Sequence, residues 1–226
     1  MGEHAERRPA IAVIGGTGKE GSGLALRWAH SGYEVLIGSR DAERAAEKAD
    51  ELNRVLGKTV LRGLDNASAA AAAELVVLTV PYQAHKPILE SIKEAAQGKI
   101  LVDVTVPLQP PAIRTVHIPE GKAASLEAQA LLGPEVRVVA AFQNISHTHL
   151  KDLDDPVDSD VLMASDDDEA KHEVARLIEA IPGMRAIDIG PLANAIAAEA
   201  LTPVILYINK RYKAPGAGIR ITGLDA

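Results

Sequence analysis

The chain has 226 residues, of which 47% are apolar, a formal net charge of −7 and no cysteine. This length suits one large domain, or one domain with a small appendage, around a sizeable buried core. The negative charge disfavours a nucleic-acid or anionic-membrane surface, and the lack of cysteine excludes a disulfide framework, a thiolate nucleophile and a cysteine-ligated zinc.

The sequence predicts neither a membrane span nor a signal peptide. No stretch reaches the roughly 18 apolar residues that a membrane span needs. The first ten residues, MGEHAERRPA, carry charges and lack an apolar core. We therefore expect a soluble cytoplasmic protein without a membrane or nucleic-acid partner.

Short apolar runs alternate with helical patterns through the first 150 residues. The predicted strands are IAVIG (11–15), EVLIG (34–38), ELVVLTV (74–80), KILVDV (99–104) and VRVVAA (136–141). The predicted helices cover 21–31, 42–56, 67–73, 86–96 and 125–132. Nearly continuous apolar strands are typical of a parallel sheet covered on both faces. The pattern therefore predicts an α/β fold with a Rossmann-type, doubly wound, mostly parallel sheet.

The pattern changes after about residue 150. An acidic connection, DLDDPVDSD, precedes VLMAS, a helix over 167–180, a strand over 185–190, a last helix from 192 to about 210, and an irregular glycine-rich tail. The acidic run at 165–169 lacks EF-hand spacing and is most simply a helix cap. We predict a nucleotide-binding domain over 9–150 and a smaller C-terminal αβ extension over 151–226.

A glycine-rich loop follows the first strand, in the sequence IAVIGGTGKEGSG. Gly16, Gly18 and Gly21 match G-x-G-x-x-G between a strand and a helix, which is the context of a dinucleotide site. Gly16 would permit the tight turn, Gly18 the approach of the backbone to the pyrophosphate, and Gly21 close packing of helix on strand. The phosphates would then bind the free amides of the helix N-terminus.

The second strand ends in Ser39 and Arg40, where NAD-binding proteins carry a carboxylate. An arginine can grip a ribose 2′-phosphate through paired donors, and Arg44 lies close enough in sequence to complete the clamp. This stretch favours NADP over NAD. The alternative is that both arginines are ordinary solvated residues satisfied by Asp41 and Glu43.

Three blocks of the chain resemble one known family. They are GGTGKEGSGLALRWAHSGYEVLIGSR, VVLTVPY, and the C-terminal GPLANA with LTPVILYINKRY. They are similar to the NADPH-dependent coenzyme F420 reductases, also called F420-dependent NADP oxidoreductases. The resemblance covers nearly the whole chain and implies hydride exchange between NADP(H) and the deazaflavin F420.

The resemblance also implies three groups of cofactor contacts. The NADP contacts would fall on the loop residues Thr17, Gly18, Lys19 and Glu20 and on Ser39, Arg40 and Arg44. The nicotinamide pocket would include Val80, Pro81 and Val106. The deazaflavin side would include Asn144, Ile145, His147, Ala217 and Gly218.

Direct hydride transfer requires two stacked rings and exclusion of water, so no catalytic side chain is expected. Tyr82 and Lys86 spell the Y-x-x-x-K of carbonyl-reducing enzymes but follow a strand directly, which makes a chance match more plausible. His147 and His149 lack a further ligand at a known spacing and favour a polar loop over a metal site. His85 fits either a place near the nicotinamide or a helix cap.

Two other functions fit the same residues. One is an NADP-linked reductase of an imine, carbonyl, flavin or ferric acceptor, because a fold does not fix a function. The other is a catalytically silent NADP-sensing module. The last helix is apolar around much of its circumference, which predicts burial against a second copy in a homodimer.

Overall fold

The computed structural model describes residues 7–224, so most of the charged N-terminal segment lies outside the described residues. Within that range the chain forms eight strands and seven α-helices. The strands are β1 Ile11–Ile14, β2 Val35–Ser39, β3 Leu61–Asp65, β4 Leu75–Leu78, β5 Ile100–Asp103, β6 Arg137–Ala140, β7 Ser159–Met163 and β8 Met184–Asp188. The helices are α1 Lys19–His30, α2 Ala42–Leu56, α3 Asn66–Ala72, α4 Tyr82–Ile92, α5 Ala124–Leu132, α6 Asp168–Glu179 and α7 Ala195–Tyr212, the last preceded by a 3-10 turn, Leu192–Asn194.

The main sheet has six parallel strands in the order β3-β2-β1-β4-β5-β6. The order reverses between β1 and β4, so the crevice of this doubly wound sheet opens beside the loop that follows β1. Every residue of β1, β2, β4 and β5 is buried, as expected for strands covered on both faces. The predicted fold class is confirmed.

Two elements differ from the sequence predictions. Strand β3 was not predicted, because LRGLD contains two charges and a glycine and is only partly buried at the sheet edge. It is held by pairing with β2 and by Asn53, whose side chain accepts from the Leu61 amide at 2.9 Å. Helix α4 begins at Tyr82, four residues earlier than predicted. Pro87 therefore lies inside the helix and not in its first turn.

The C-terminal part forms a second, two-stranded parallel sheet of β7 and β8 with α6 beside it. Asp167 caps α6 by accepting from the Ala170 amide at 2.7 Å, which confirms the predicted cap. The Trp28 indole on α1 donates to the Leu177 carbonyl on α6 at 2.9 Å, and one hydrophobic cluster includes both side chains. The division at residue 150 remains a prediction.

Helix α7 joins the two parts of the molecule. Its buried Glu199 carboxylate accepts from the Ala124 and Ser125 amides at 2.7 and 3.0 Å, so α7 supplies the N-terminal cap of α5 from a distant part of the chain. The sequence analysis predicted no segment long and apolar enough to span a membrane, but Leu192–Tyr212 has such a length and a mean hydropathy of 1.3. Within this segment, 33% of the apolar 18-residue stretch is buried in the structure.

Candidate functional site

The glycine loop turns tightly between β1 and α1. Gly15 has a φ of +79°, so the left-handed position lies one residue before the predicted turn residue, Gly16. A Cβ on Gly21 would collide with the Thr79 hydroxyl, which agrees with the packing role predicted for Gly21. A Cβ on Gly18 would meet only the Gly15 carbonyl, at 3.3 Å, so no packing demand requires a glycine there. The feature that remains for Gly18 is its open outer side, where a ligand can approach.

The N-terminus of α1 has unused donors. Gly18 occupies the cap position, and no side chain caps the helix. The first amides of a helix have no partner within the helix and attract anions. Thr17, Gly18 and Lys19 are at least partly exposed around this end. The geometry therefore suits a phosphate group.

The end of β2 presents two guanidinium groups to solvent. Ser39 is buried, and its hydroxyl accepts from the Asp41 amide at 3.3 Å. Asp41 in turn caps α2 by accepting from the Glu43 and Arg44 amides, so its carboxylate is committed to the backbone. Arg40 and Arg44 are exposed, and the described residues provide neither with an ion pair. The alternative that Asp41 and Glu43 satisfy these arginines has no contact to support it.

A cavity of about 370 Å³ lies at the carboxyl ends of the strands, between α1, the segment after β6 and α7. Its apolar walls include Val104, Phe142 and Ile205. From the predicted site residues the cavity brings together Glu20, Val106, Asn144, Ile145, His147 and Ala217. Gly218 lines an adjoining cavity of about 240 Å³ with Asn144 and Ser159. Gly16, Thr17, Gly18, Lys19, Ser39, Arg40, Arg44, Val80 and Pro81 lie outside this cavity lining.

The loop over 144–149 and the C-terminal tail are tied to each other. His149 Nε2 lies 2.7 Å from the Gly216 carbonyl, and Thr148 donates to the Pro215 carbonyl at 3.3 Å. A Cβ on Gly216 would come within 2.6 Å of His149 Nε2 and 2.7 Å of Thr148 Oγ1, so a side chain there would displace these contacts. The tail is irregular, as predicted, but it is fixed in place. His149 is thereby accounted for as a structural residue, and the described residues contain no cluster suited to a metal ion.

Asn144 faces the second sheet. Its side-chain amide donates to the Asp160 carbonyl at 2.6 Å and its oxygen accepts from the Leu162 amide at 3.4 Å. A ligand contact by Asn144 would therefore use its backbone. The loop is also held by Arg27 on α1, which donates to the His149 and Leu150 carbonyls at 2.7 and 3.1 Å. Sequence reasoning missed Arg27, whose burial inside a helix pattern gave no signal.

Asp160 ties the tail to β7. Arg185 donates to both of its carboxylate oxygens, at 2.7 and 2.8 Å, and Arg220 adds a third contact at 2.7 Å. The Ile221 amide also donates to it at 2.6 Å. These hydrogen bonds, led by those of Arg185, hold the pKa of Asp160 well below its usual range against the opposing effect of burial.

Tyr82 and Lys86 line a different cavity, of about 630 Å³, beside α5. Tyr82 donates to Glu127 at 2.9 Å, and burial together with Glu127 raises the pKa of Tyr82 to about 12. His85 lies within α4, 2.7 Å from Asp103, and both are buried. Burial lowers the pKa of His85, but the Asp103 carboxylate outweighs it and raises the pKa overall. His85 does not cap α4, and the Y-x-x-x-K pattern lies away from the cavity beside loop 144–149.

Comparison with known proteins gives consistent results. A family model described as "NADP oxidoreductase coenzyme F420-dependent" matches residues 10–107. The F420-dependent NADP reductase of Methanothermobacter thermautotrophicus is 46% identical over 220 residues, covering 95% of both chains. That of Methanocaldococcus jannaschii is 40% identical over 223 residues, covering 95% of this chain and 99% of the other. The crystal structure of a putative F420-dependent NADP reductase from Arthrobacter sp. FB24 superposes with a TM-score of 0.79 at 28% identity, covering 95% of this chain and 99% of that chain.

Proposed function

Since this chain belongs to the family of F420-dependent NADP oxidoreductases and exchanges hydride between NADP(H) and coenzyme F420, we propose that the two rings meet in the cavity beside loop 144–149. The observation that carries this proposal is the position of the cavity. It lies at the carboxyl ends of the strands, where α/β sheets bind their ligands. It also reaches from α1, beside the glycine loop, to the C-terminal tail.

The residues around α1 and β2 fit NADP. The uncapped α1 N-terminus would bind the pyrophosphate, and Gly18 would let the backbone approach it. Arg40 and Arg44, which lack ion-pair partners among the described residues, would hold the 2′-phosphate with Ser39 beside them. Val80 and Pro81 follow β4 and would border the nicotinamide.

The residues of the cavity fit a flat, largely apolar ring system with polar edges. Val104, Val106, Phe142 and Ile205 would exclude water from its faces. Two buried oxygens without hydrogen-bond partners, Glu20 Oε1 and Gln143 Oε1, belong to residues of the same lining. Ile145, His147, Ala217 and Gly218 would border the deazaflavin. A ligand with apolar faces and polar edges would fill the apolar cavity and form hydrogen bonds with these unsatisfied atoms.

When bound, NADPH and F420 supply the hydride donor and acceptor themselves. The task of the chain is to hold reacting carbons about 3 to 3.5 Å apart and to keep water away. Val106 follows β5 and lines the cavity, so a larger side chain there would fill the space between the rings.

The direct test is bleaching of the F420 absorbance by NADPH with purified protein. We expect turnover by the wild type and about a hundredfold loss in Val106→Trp, because misplacement by about 1 Å has that effect on rate. Tyr82→Phe is the matched control, since Tyr82 lines the other cavity, and it should turn over normally. Full activity of Val106→Trp would show that the two rings do not meet in this cavity.

We further propose that the enzyme is a cytoplasmic homodimer in which a second copy covers α7, without membrane or nucleic-acid partners. The outer side of α7 exposes Val204, Tyr207, Ile208 and Tyr212. The division into a domain over 9–150 and an extension over 151–226 belongs to the same proposal, with the extension contributing the deazaflavin side and the dimer contact.

A further inference from the structure

Glu20 is a half-buried residue, and one oxygen of its carboxyl group is buried without a hydrogen-bond partner among the described residues. It is the second residue of α1, it lines the cavity beside loop 144–149, and its Oε1 has no hydrogen-bond partner in the described part of the chain. Leaving such an oxygen unsatisfied costs about 1 to 3 kcal/mol, and native structures contain few of them. The orphaned oxygen therefore indicates a ligand group that completes it.

The charge of Glu20 follows from its surroundings. Burial raises the pKa of Glu20 to about 8, so the side chain is mainly the neutral acid at pH 7. The phosphates that we place at the α1 N-terminus would favour the same neutral form. Among the described residues of the cavity lining, the other ionisable side chain is His147, and burial with Lys19 and Lys151 lowers the pKa of His147. The cavity lining thus holds one acid with a raised pKa, and its other described ionisable side chain, His147, has a lowered pKa.

A protonated acid suits an oxidised deazaflavin. The N1 edge of the ring offers the nitrogen N1 and the neighbouring C2 carbonyl oxygen, both of which only accept hydrogen bonds, whereas the donor N3–H lies beyond that carbonyl. A carboxylate also only accepts, whereas a carboxylic acid donates one hydrogen bond. Reduction turns N1 from a hydrogen-bond acceptor into a donor, because the ring gains a hydride at C5 and a proton at N1. The reaction therefore consumes one proton along with the hydride.

We propose that Glu20 supplies this proton. The hydride leaves nicotinamide C4 with its electron pair and forms the C–H bond at C5 of the deazaflavin, while the Glu20 O–H bond breaks and the N1–H bond forms. The carboxylate regains its proton from water, and in the reverse direction it takes the proton back from N1. This inference rests on the proposed function and departs from the expectation that ring stacking alone suffices.

The first test uses the protein without cofactors. Carbon-13 NMR of protein labelled at the glutamate carboxyls, compared with Glu20→Gln, should show one resonance that titrates near pH 8 and is missing in the variant. Glu169→Gln is the matched control, because Glu169 is likewise the second residue of a helix, α6, but is exposed. A Glu20 resonance that titrates near the ordinary value of about 4.3 would overturn the proposal.

The second test measures binding in both redox states. Above the pKa of Glu20, the affinity of the wild type for oxidised F420 should fall about tenfold per pH unit more than that of Glu20→Gln. The glutamine keeps a hydrogen-bond donor that does not titrate. Any pH dependence of Glu20→Gln therefore reports the ionisation of F420 itself. Reduced F420, which carries N1–H, should show no such fall. Equal pH dependence of wild type and Glu20→Gln for oxidised F420 would contradict the proposal.

The third test separates binding from turnover. Glu20→Gln should bind NADPH and F420 but lose about 10²- to 10⁴-fold in rate, as removal of a general acid typically does. If Glu20→Gln does not fold, Glu20→Asp keeps a shorter acid and should retain the pH profile at a reduced rate. Glu20→Gln with wild-type turnover would refute the role of Glu20 alone. A wild type that fails to bind or reduce F420 would instead refute the proposed function.

Discussion

At the scale of residues, Arg40 and Arg44 are the side chains that we propose set the choice of NADP over NAD. Both are exposed at the start of α2, and the neighbouring Asp41 carboxylate is committed to capping that helix. We expect Arg40→Asp to weaken NADP binding by about 2 to 4 kcal/mol, because it removes paired phosphate contacts and adds a repelling charge. NAD binding should change far less. Isothermal titration with both cofactors measures the difference.

Arg54→Asp is the control for overall charge, because Arg54 is an exposed residue at the other end of α2. It should leave the preference for NADP intact. If Arg40→Asp weakened NADP and NAD equally, Arg40 would support the fold and not the 2′-phosphate.

Asp160 is a residue whose charge state stabilises the fold. Its hydrogen bonds, first those from Arg185, place its folded pKa below the unfolded value of about 3.9. Its contribution is therefore complete above pH 4 and is lost as the pH falls through the folded pKa. Asp160→Asn should lower the free energy of unfolding by about 2 to 3 kcal/mol at pH 6, since it breaks a buried pair whose arginines remain partly solvated.

Urea unfolding at a series of pH values measures this effect, and the difference from wild type should shrink below pH 4. Asp158→Asn is the matched control. Asp158 also pairs with Arg220, but its side chain is 84% exposed, so its loss should cost under about 1 kcal/mol. A pH-independent difference for Asp160→Asn would show that shape and not charge is responsible.

At the scale of elements, we expect two glycines between β1 and α1 to have different roles, Gly18 in cofactor binding and Gly21 in folding. Gly18 has an extended backbone, φ −75° and ψ 168°, which a β-branched residue also adopts. Gly18→Val should therefore keep its circular dichroism and lose NADPH binding, because the side chain blocks the backbone from the pyrophosphate. Fluorescence titration of NADPH tests this.

Gly21→Ala is the contrasting variant. A Cβ at Gly21 would collide with Thr79, so this change should lower the melting temperature. Wild-type NADPH affinity in Gly18→Val would show that the pyrophosphate binds elsewhere.

At the scale of the whole molecule, we propose that a second copy of the chain packs on α7. Val204, Tyr207, Ile208 and Tyr212 are 43%, 57%, 37% and 75% exposed and follow one another at helical spacing. We expect the double variant Val204→Asp, Ile208→Asp to be monomeric by light scattering, because charges in an apolar interface oppose association. Val55→Asp, on the exposed side of α2 at 59%, should remain dimeric. A wild-type protein that is monomeric by light scattering would refute the proposed homodimer.

The sequence alone predicted the family, the cofactor pair and most of the fold. Alternation of apolar strands with helices is a local pattern, and so are the glycine loop and the Ser39-Arg40 ending of β2. Each depends on residues close in sequence, so each is readable without coordinates. Comparison with known proteins confirmed NADP and F420, whereas the individual contact residues remain predictions.

The tertiary structure alone decided which distant residues share a cavity and which polar atoms lack partners. Strand β3 is defined by pairing with β2, and Asn144 is committed to β7, neither of which has a local signal. The resemblance implied only an NADP contact for Glu20, and nothing local in the sequence marked it as an acid. Only the tertiary fold places Glu20 in the lining of the cavity beside loop 144–149 and buries its Oε1, which makes it a candidate acid because solvation depends on the whole fold.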